Sequence, residues 1–333
     1  MRNLQVRMAA RPVGLPKPSD FAIIEADIPA PGDGEVLVET VYLSVDPYMR
    51  GRMSDAKSYA APMQVGDVMV GATAGRVVES KDPSFKPGDL VGTYAGWQQY
   101  AALPGKTLSK LDPRIPLSAS LGVCGIPGLT AYFGIFDICH PKAGETLFVS
   151  GAAGAVGSAV GQIGKILGCR VAGSAGTGDK VAWLKELGFD AAFNYKEHPE
   201  PYKILREQCP DGIDCYFDNV GGAVTDAVFA QMNAGARIAI CGQISQYNNT
   251  QPEMGPRLLA LVLTRMATVR GFIVTQYIKR FAEAQQQLGQ WVLDGKLHYK
   301  ETVVDGLEKA PEAFIGLLQG ANTGKMLVRV RPE

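Results

Sequence analysis

The sequence predicts an α/β fold in which a doubly wound parallel sheet follows a region of short antiparallel strands. From about residue 123 onward, apolar strands alternate with helices, which is typical of a parallel sheet covered by helices. Before residue 120, short apolar runs are separated by Pro-Gly and Gly-Asp turns, which indicates an antiparallel barrel or sandwich. The length of 333 residues suffices for about two such domains.

The individual elements follow from the apolar runs. The N-terminal region has candidate strands at 35–45, 74–80 and within 87–103. The parallel region has strands at 146–151, 169–175, 191–195, 212–222, 236–242 and 268–274, and helices at 155–168, 180–188 and 277–294. After residue 300, one strand, one helix and a final strand follow. The pattern leaves open whether this tail closes the first domain or extends the second.

The composition excludes several functional classes. The formal net charge is zero, so there is no electrostatic basis for binding nucleic acid or an anionic membrane surface. No apolar run reaches the roughly 18–20 residues of a membrane span, and the N-terminus lacks the apolar core of a signal peptide. The six cysteines include no CxxC pair. We therefore expect a cytoplasmic protein with reduced thiols and no membrane or nucleic-acid partner.

A glycine-rich turn predicts nucleotide binding. Gly151, Gly154 and Gly157 follow a buried strand and open a helix, which is the context of a dinucleotide fingerprint. The N-terminus of that helix offers unpaired N–H groups and a partial positive charge to a pyrophosphate. The spacing is GxxGxxG rather than GxGxxG, and a close-packed strand–helix turn without a ligand is the alternative.

The end of the second parallel strand distinguishes the two nicotinamide cofactors. An NAD site places Asp or Glu there to bind the ribose 2′-OH, whereas this strand ends without an acid. Gly173 and Ser174 are expected to leave room for a 2′-phosphate. Lys180 in the next helix can supply the countercharge, and Tyr195 is a second candidate, although such a lysine is more often a solvated helix residue. The sequence thus predicts NADP(H).

Motifs that span nearly the whole chain support a more specific interpretation. They are VDPYMR (45–50), GLTAYFG (128–134), AAGAVGSAVGQIGK (152–165), FNYK (193–196), FDNVGG (217–222), CGQISQYN (241–248), GFIV (271–274) and GANTGK (320–325). In these motifs the chain resembles the zinc-independent medium-chain dehydrogenases/reductases, in the prostaglandin reductase, leukotriene B4 12-hydroxydehydrogenase and curcumin reductase branch. The resemblance implies a GroES-like β-barrel catalytic domain (residues 1–122, completed by 300–333) and an NADP-binding Rossmann domain (residues 123–299).

The resemblance further implies NADP(H) as the cofactor, reduction of the C=C bond of small apolar enones and enals, and a homodimer. The positions that it implies for cofactor binding are Gly154, Ala155, Val156, Gly157, Lys180, Tyr195, Asn219, Cys241, Gly242, Ser245, Tyr247, Phe272, Ile273, Val274 and Asn322. Gln243 departs from the family pattern, because mammalian members often have a small residue there. We expect this glutamine to narrow or polarise the substrate pocket.

No metal is expected. Zinc-dependent relatives have Gly-His-Glu where this chain has Val70-Gly71-Ala72, and a cysteine near Asp46. A catalytic zinc needs about three protein ligands, and none of the three histidines pairs with a cysteine at a ligand spacing. A C=C reduction does not need a Lewis acid, since an enone carries its own electron sink.

The proposed chemistry adds hydride to the β-carbon of the enone, so that negative charge develops on the carbonyl oxygen. A hydrogen-bond donor at that oxygen would stabilise the transition state. Tyr247 is the candidate donor, with the cofactor ribose 2′-OH as a rival and a pocket-wall role as the alternative. Tyr48 and Thr130 are candidate substrate-lining residues. For Arg50 we favour a structural ion pair with Asp46.

Three other functions stay open at this point. A quinone reductase of the same superfamily would use the same cofactor, although the VDPYMR and CGQISQYN motifs favour the enone reductase. Oxidation of a hydroxyl group on a lipid mediator is disfavoured without zinc or a clear general base. A non-catalytic NADPH-binding protein would need the same cofactor positions, and only an assay distinguishes it from an enzyme.

Overall fold

The chain folds into two units. The computed structural model describes residues 2–333. One unit combines the segment up to Gly122 with Glu301–Glu333, and the other is Val123–Lys300. The α/β class is confirmed, since one unit contains a fully parallel sheet and the other contains mainly antiparallel strands.

The first unit begins with antiparallel strands. Their bounds are β1 (Arg2–Met8), β2 (Phe21–Asp27), β3 (Glu35–Ser44), β4 (Thr73–Ser80), β5 (Leu90–Thr93), β6 (Tyr100–Pro104) and β7 (Ser109–Lys110), with a short helix α1 (Tyr48–Arg52) after β3. β1 and β2 form a separate two-stranded sheet, whereas β3 pairs with both β4 and β6. The runs predicted at 35–45 and 74–80 correspond to β3 and β4.

The second unit alternates strands and helices. Its strands are β8 (Thr146–Val149), β9 (Arg170–Ala175), β10 (Ala191–Asn194), β11 (Ile213–Asp218), β12 (Met232–Ile240) and β13 (Thr268–Gly271). Its helices are α2 (Ile126–Gly134), α3 (Ala155–Ile166), α4 (Gly178–Glu186), α5 (Pro201–Gln208), α6 (Gly222–Gln231), α7 (Leu259–Thr264) and α8 (Phe281–Leu293). The sheet order β10-β9-β8-β11-β12-β13 changes direction between β8 and β11, and ligands bind at such switch points in open α/β sheets.

One predicted helix begins later than expected. The helix expected at 277–294 is a 3₁₀ segment over Val274–Arg280, followed by α8 from Phe281. The tighter turns bring the ring of Tyr277 flat against that of Phe133, with 4.5 Å between the ring centres. Tertiary stacking has therefore overridden the local helical pattern.

The C-terminal tail belongs to the first unit. It forms β14 (Glu301–Asp305), α9 (Ala310–Leu318) and β15 (Lys325–Arg329). β15 pairs antiparallel with β3, and β14 pairs with β15 in parallel. That parallel pair differs from the antiparallel arrangement expected for this region, because α9 supplies the crossover that joins parallel strands. The tail therefore closes the first unit, which the sequence pattern had left open.

A buried ion pair fastens the tail to β3. The Lys325 side chain is only 4% exposed, and its ammonium group lies 3.0 Å from the Asp46 carboxylate. It also donates to the carbonyls of Val45 at 2.7 Å and Met326 at 2.8 Å. All three ammonium protons thus have acceptors, which a buried lysine needs. The sequence predicted an ion pair between Arg50 and Asp46. In the structure, the guanidinium group of Arg50 donates to the backbone carbonyls of Pro12 and Gly14.

Replacing Lys325 with methionine is expected to destabilise the protein. The change leaves the Asp46 carboxylate without this partner, and breaking a buried pair costs about 3–5 kcal/mol. Urea unfolding followed by circular dichroism measures the loss. The control is Arg329→Met, in the same strand as Lys325. This change breaks an exposed ion pair with Asp305 of β14 and is expected to cost less than about 1 kcal/mol. Equal unfolding midpoints for the two variants would contradict this view of the tail.

Candidate functional site

The glycine-rich turn joins β8 to the N-terminus of α3. Gly151 has φ +58°, in the left-handed region that favours glycine. Gly154 is the extended N-cap residue of α3, and its carbonyl accepts a hydrogen bond of 3.0 Å from the helix. The N–H groups of Ala155, Val156 and Gly157 belong to the first turn, where a helix offers no acceptor for them. Such a turn is suited to binding a phosphate.

Gly157 and Gly154 differ in the space around them. A Cβ on Gly157 would lie 2.5 Å from the carbonyl oxygen of Gly151 and 2.8 Å from the Cα of Ala152. Helix α3 therefore packs directly on the turn, and this position requires glycine. A Cβ on Gly154 would meet its nearest neighbour at 3.3 Å, so the space beside the N-cap is less crowded.

A fully buried carboxylate, Asp218, lies at the end of β11. Six donors approach it within 2.9 Å, four on Oδ1 and two on Oδ2. They are the hydroxyls of Ser150, Tyr216 and Thr225, the backbone N–H groups of Val220 and Gly221, and the side-chain amide of Gln243. A buried charge is stable only when it is hydrogen-bonded in this way. Asp218 therefore fixes the turn after β11, and the sequence-based analysis did not identify it.

The loop after β12, residues 241–247, is attached to that turn. The backbone N–H groups of Cys241 and Gly242 donate to the carbonyl of Asp218 at 2.9 and 3.0 Å. The Ser245 hydroxyl donates to the carbonyl of Val220 at 2.7 Å. Burial, and then the negative charge of Asp218, raise the pKa of the Cys241 thiol to about 12. This thiol is therefore neutral near pH 7 and is not a nucleophile.

The side-chain amide of Gln243 is hydrogen-bonded within the protein. Its Nε2 donates to Asp218 at 2.8 Å and to the carbonyl of Gly242 at 2.9 Å. Its Oε1 occupies the space that a Cβ on Gly221 would need, and Gly221 has φ +78°. Both amide protons of Gln243 are thus used within the loop and the turn. The amide protons are therefore directed to protein acceptors, and the expectation that Gln243 narrows or polarises the substrate pocket stays a prediction.

Tyr247 lies at the end of the same loop and is half-buried. Its hydroxyl oxygen accepts a hydrogen bond of 3.4 Å from the N–H of Gln243. It also lies 3.2 Å from the position that a Cβ on Gly242 would take. The hydroxyl is therefore held against the backbone of the loop at the carboxyl edge of the parallel sheet.

Asn219 is held at the switch point of the sheet. Its Nδ2 donates to the carbonyl of Ser150 at 2.8 Å, and its backbone N–H donates to the Ser150 hydroxyl at 3.0 Å. Ser150 directly follows β8, so these bonds join the ends of the two strands that border the switch point. The predicted contacts at Gly154, Asn219 and Tyr247 thus all follow carboxyl ends of the same sheet.

The end of β9 corrects one expectation and adds a residue. Gly173 does not leave room for a phosphate, because a Cβ there would lie 2.7 Å from the Cβ of Ala152, and Ser174 is buried. The side chains of Tyr195 and Lys196 approach the backbone further on, at Gly176. A Cβ on Gly176 would lie 3.2 Å from the Tyr195 hydroxyl and 3.4 Å from the Cε of Lys196.

Lys180 in α4 and Lys196 after β10 lie near each other. Burial, and then the positive charge of Lys196, lower the pKa of Lys180. A second positive charge near Lys180 makes this part of the molecule more attractive to a negatively charged ligand. Lys196 immediately follows Tyr195, which the sequence analysis identified as a candidate. The basic residue next to that tyrosine was visible in the sequence, but the sequence analysis did not include it.

Side chains in the segment after β13 alternate between buried and exposed. Phe272 is buried, and its ring packs edge-on against Phe217 with 6.1 Å between the ring centres. Val274 is also buried, whereas Ile273 is 38% exposed. Of the three predicted contacts, only Ile273 presents its side chain outward. Phe272 and Val274 can reach a ligand only through their backbone.

The predicted residues outside this sheet edge have local partners. The Thr130 hydroxyl donates back to the carbonyl of Ile126 in α2 at 2.7 Å, a common bond for threonine inside a helix. The Asn322 side chain donates to the carbonyl of Gly324 at 2.7 Å and shapes the turn before β15. Burial, and then the negative charge of Asp46, raise the pKa of Tyr48, so its phenol keeps its proton.

The segment where zinc-dependent relatives carry ligands has no ligand atoms in its side chains. A Cβ on Gly71 would lie 2.9 Å from the Cδ1 of Leu43 and 3.0 Å from the Cδ1 of Trp97. A histidine at this position would therefore require repacking. Within residues 2–333, no group of three or more His, Cys, Asp or Glu side chains could hold a metal ion. In the same range, no helix has both the length and the apolar character needed to cross a membrane.

Family models match both units. Residues 4–111 match the model described as the N-terminal domain of oxidoreductase, and residues 155–290 match the model described as zinc-binding dehydrogenase. The two matches lie in separate units of the structure.

Individual relatives match over nearly the full length. The chain is 50% identical to NADPH-dependent curcumin reductase of Escherichia coli (strain K12), over 99% of this chain and 97% of that protein. It is 46% identical to prostaglandin reductase 1 of Rattus norvegicus, over 95% of both chains. Among solved structures, CurA from Vibrio vulnificus in complex with NADPH superposes with a TM-score of 0.95 and 48% identity, over 99% of this chain and 100% of that chain.

Proposed function

The chain belongs to the medium-chain dehydrogenases/reductases, in the zinc-independent branch of prostaglandin and curcumin reductases, and on this premise we propose that it uses NADPH to reduce the C=C bond of α,β-unsaturated ketones and aldehydes. The observation that carries the proposal is the extent of the similarity. Half of the residues are identical to those of an NADPH-dependent curcumin reductase over 99% of the chain. Both units therefore have counterparts in a relative of that activity.

The residues of the second unit fit NADP(H). The first-turn N–H groups of α3 would bind the pyrophosphate, and Asn219 and the 241–247 loop would border the nicotinamide. Lys180, Lys196 and Tyr195 would bind the 2′-phosphate. The positive charge of Lys196, which contributes to the lowered pKa of Lys180, supports this assignment, because a dianionic phosphate would be attracted to both side chains. Ile273 of the same unit is a further proposed contact, whereas Asn322 belongs to the first unit.

The chemistry requires stabilisation of charge on the substrate. When bound, NADPH supplies the hydride that the β-carbon of the enone accepts. Negative charge then develops on the carbonyl oxygen of the substrate, and a hydroxyl group placed there lowers the barrier. The Tyr247 hydroxyl is our proposed donor, because the hydrogen bond from Gln243 to its oxygen holds it in place. Tyr48 stays a proposed substrate-lining residue.

The decisive experiment is an acceptor panel. Purified protein is given NADPH with an alkyl enal, an aryl enone or a quinone, and the products are identified by mass spectrometry. NADH and a metal chelator are tested in parallel. We expect NADPH-selective formation of the saturated carbonyl compound, without inhibition by the chelator. Consumption of NADPH with the quinone alone would replace the proposal with a quinone reductase, and NADPH binding without any turnover would remove catalysis altogether.

Replacing Lys180 or Lys196 with alanine is expected to weaken NADPH selectivity. Each change removes a charge-assisted hydrogen bond to phosphate, which contributes about 1.5–3 kcal/mol, or roughly 10- to 100-fold in KM for NADPH. The KM for NADH is expected to stay unchanged, because NADH lacks the 2′-phosphate. Lys185→Ala in the last turn of α4 is the matched control. An unchanged ratio of the two KM values would contradict the assignment.

Replacing Tyr247 with phenylalanine is expected to lower kcat about 10²-fold, the usual cost of losing one oxyanion donor. The dissociation constant for NADPH should not change, since the ring is retained. Stopped-flow measurement of hydride transfer, together with fluorescence titration of NADPH, separates the two effects. Normal turnover by this variant would exclude the donor role and leave Tyr247 as a wall of the pocket.

We also propose a homodimer. β13 is the edge strand of the parallel sheet, and all four of its residues are exposed. Leu259, Leu263 and Met266 beside it are 74–80% exposed. An edge strand flanked by exposed apolar side chains is suited to pairing with a second copy across a two-fold axis. Sedimentation equilibrium should give twice the monomer mass of 35.5 kDa, and a monomer at micromolar concentration would overturn the proposal.

A cytoplasmic location is the remaining proposal, and it rests on the composition and on the absence of a CxxC pair among the cysteines. Reduced cysteines are expected in that compartment. Cell fractionation followed by immunodetection tests it. Recovery of the protein mainly in a membrane or secreted fraction would contradict it.

A further inference from the structure

The half-buried side-chain amide of Gln243 links the Asp218 carboxylate to the loop that carries Tyr247. Oδ2 of Asp218 has two donors, the Thr225 hydroxyl and the Gln243 amide, each at 2.8 Å. Gln243 thus supplies one of the two hydrogen bonds to that oxygen. Without it, a buried carboxylate oxygen would lose a strong donor, and the loop would lose its side-chain bond to Asp218.

The backbone of the same residue contacts the tyrosine. The N–H of Gln243 donates to the Tyr247 hydroxyl oxygen at 3.4 Å, and the N–H of Gln246 donates to the carbonyl of Gln243 at 2.9 Å. The turn that positions Tyr247 is therefore built on Gln243. A displacement of Gln243 from Asp218 would move the acceptor oxygen of the tyrosine with it.

The glutamine has no amide proton left for a ligand. Its two N–H groups donate to Asp218 and to the carbonyl of Gly242, and its carbonyl oxygen packs over Gly221. A direct contact with substrate would break these bonds. The role that the contacts support is therefore an indirect one.

We propose that Gln243 is a positioning residue for the reduction. The hydrogen bond from its side-chain amide to Asp218 holds the 241–247 loop, and through it the Tyr247 hydroxyl, at the reacting carbonyl. This inference rests on the proposed function and on the donor role of Tyr247. It gives Gln243, which departs from the family pattern, a role in positioning Tyr247 and no role in substrate recognition.

The substitution Q243E makes this role visible as a new pH dependence. The introduced carboxyl faces the Asp218 carboxylate, so its own pKa is raised above the usual value of about 4.3. Protonated, it can still donate to Asp218; ionised, it repels Asp218 and displaces the loop. The variant should therefore be most active at low pH and lose activity as the pH rises through that raised pKa. Wild type carries a neutral amide there and lacks this step.

The other titratable groups that face Asp218 do not obscure the test. Burial raises the pKa of Tyr216 well above its ordinary value and that of Cys241 to about 12. Both groups keep their protons between about pH 5 and pH 9. Tyr247, in the same loop, is present in wild type and in the variant alike. The new step is thus attributable to the introduced carboxyl.

The matched control is Q286E, which makes the same change at an exposed position of α8, outside the residues proposed to bind cofactor or substrate. We expect kcat of Q243E to fall about tenfold or more, relative to wild type, between pH 5.5 and pH 8.5, while Q286E follows the wild-type profile. The NADPH dissociation constant of Q243E should change far less than kcat. Superimposable profiles for Q243E and wild type would overturn the proposal.

A second measurement applies if Q243E does not fold, as judged by circular dichroism. Gln243→Leu keeps the residue neutral and is expected to lower kcat about tenfold. In a Tyr247→Phe background it should cost little more, because a residue that acts through Tyr247 cannot act when the hydroxyl is gone. Additive losses would overturn the proposal. Wild-type protein that turns over no acceptor would remove the proposed function itself, which the same assay reports separately.

Discussion

The buried carboxylate of Asp218 is the constraint on which the second unit depends. A charge removed from water must be compensated by hydrogen bonds, and here the donors come from separate parts of the chain. Ser150 follows β8, Thr225 lies in α6 and Gln243 follows β12. A single charge thus holds the carboxyl ends of neighbouring strands in register at the switch point. Loss of one donor affects the others, because they share the same two oxygens.

The first unit also contains a buried charge with hydrogen-bond partners, but of the opposite sign. The Lys325 ammonium is buried and reaches Asp46 and two carbonyls, joining segments that are 280 residues apart. The tail therefore belongs to the first unit because of specific polar contacts as well as the pairing of β15 with β3. In both units, one fully satisfied buried charge connects parts of the chain that the sequence separates widely.

The sequence predicted what depends on local pattern and missed what depends on distant partners. The glycine turn before α3 and the alternation of β8 to β13 are encoded by spacing and apolar periodicity, and they were placed correctly. Asp218 lies inside the FDNVGG motif, but its donors at Ser150 and Gln243 are 68 and 25 residues away. The hydrogen bond from Gln243 to Asp218 could not be predicted from the sequence, because it depends on where the fold places Asp218. Gly173 was assigned to a phosphate for the same reason, since its contact with Ala152 is tertiary.

The charges in the second unit fall into two kinds, and the distinction separates structure from binding. Asp218 is buried and surrounded by neutral donors that satisfy it within the protein, so it needs no ligand. Lys180 in α4 and Lys196 after β10 are like charges near each other, and the charge of Lys196 contributes to the lowered pKa of Lys180. A charge compensated by neutral donors stabilises the fold, whereas crowded like charges favour a ligand of opposite sign. The two lysines are therefore the proposed origin of a preference for a phosphorylated ribose, whereas the Asp218 network, which is satisfied within the protein, belongs to the fold.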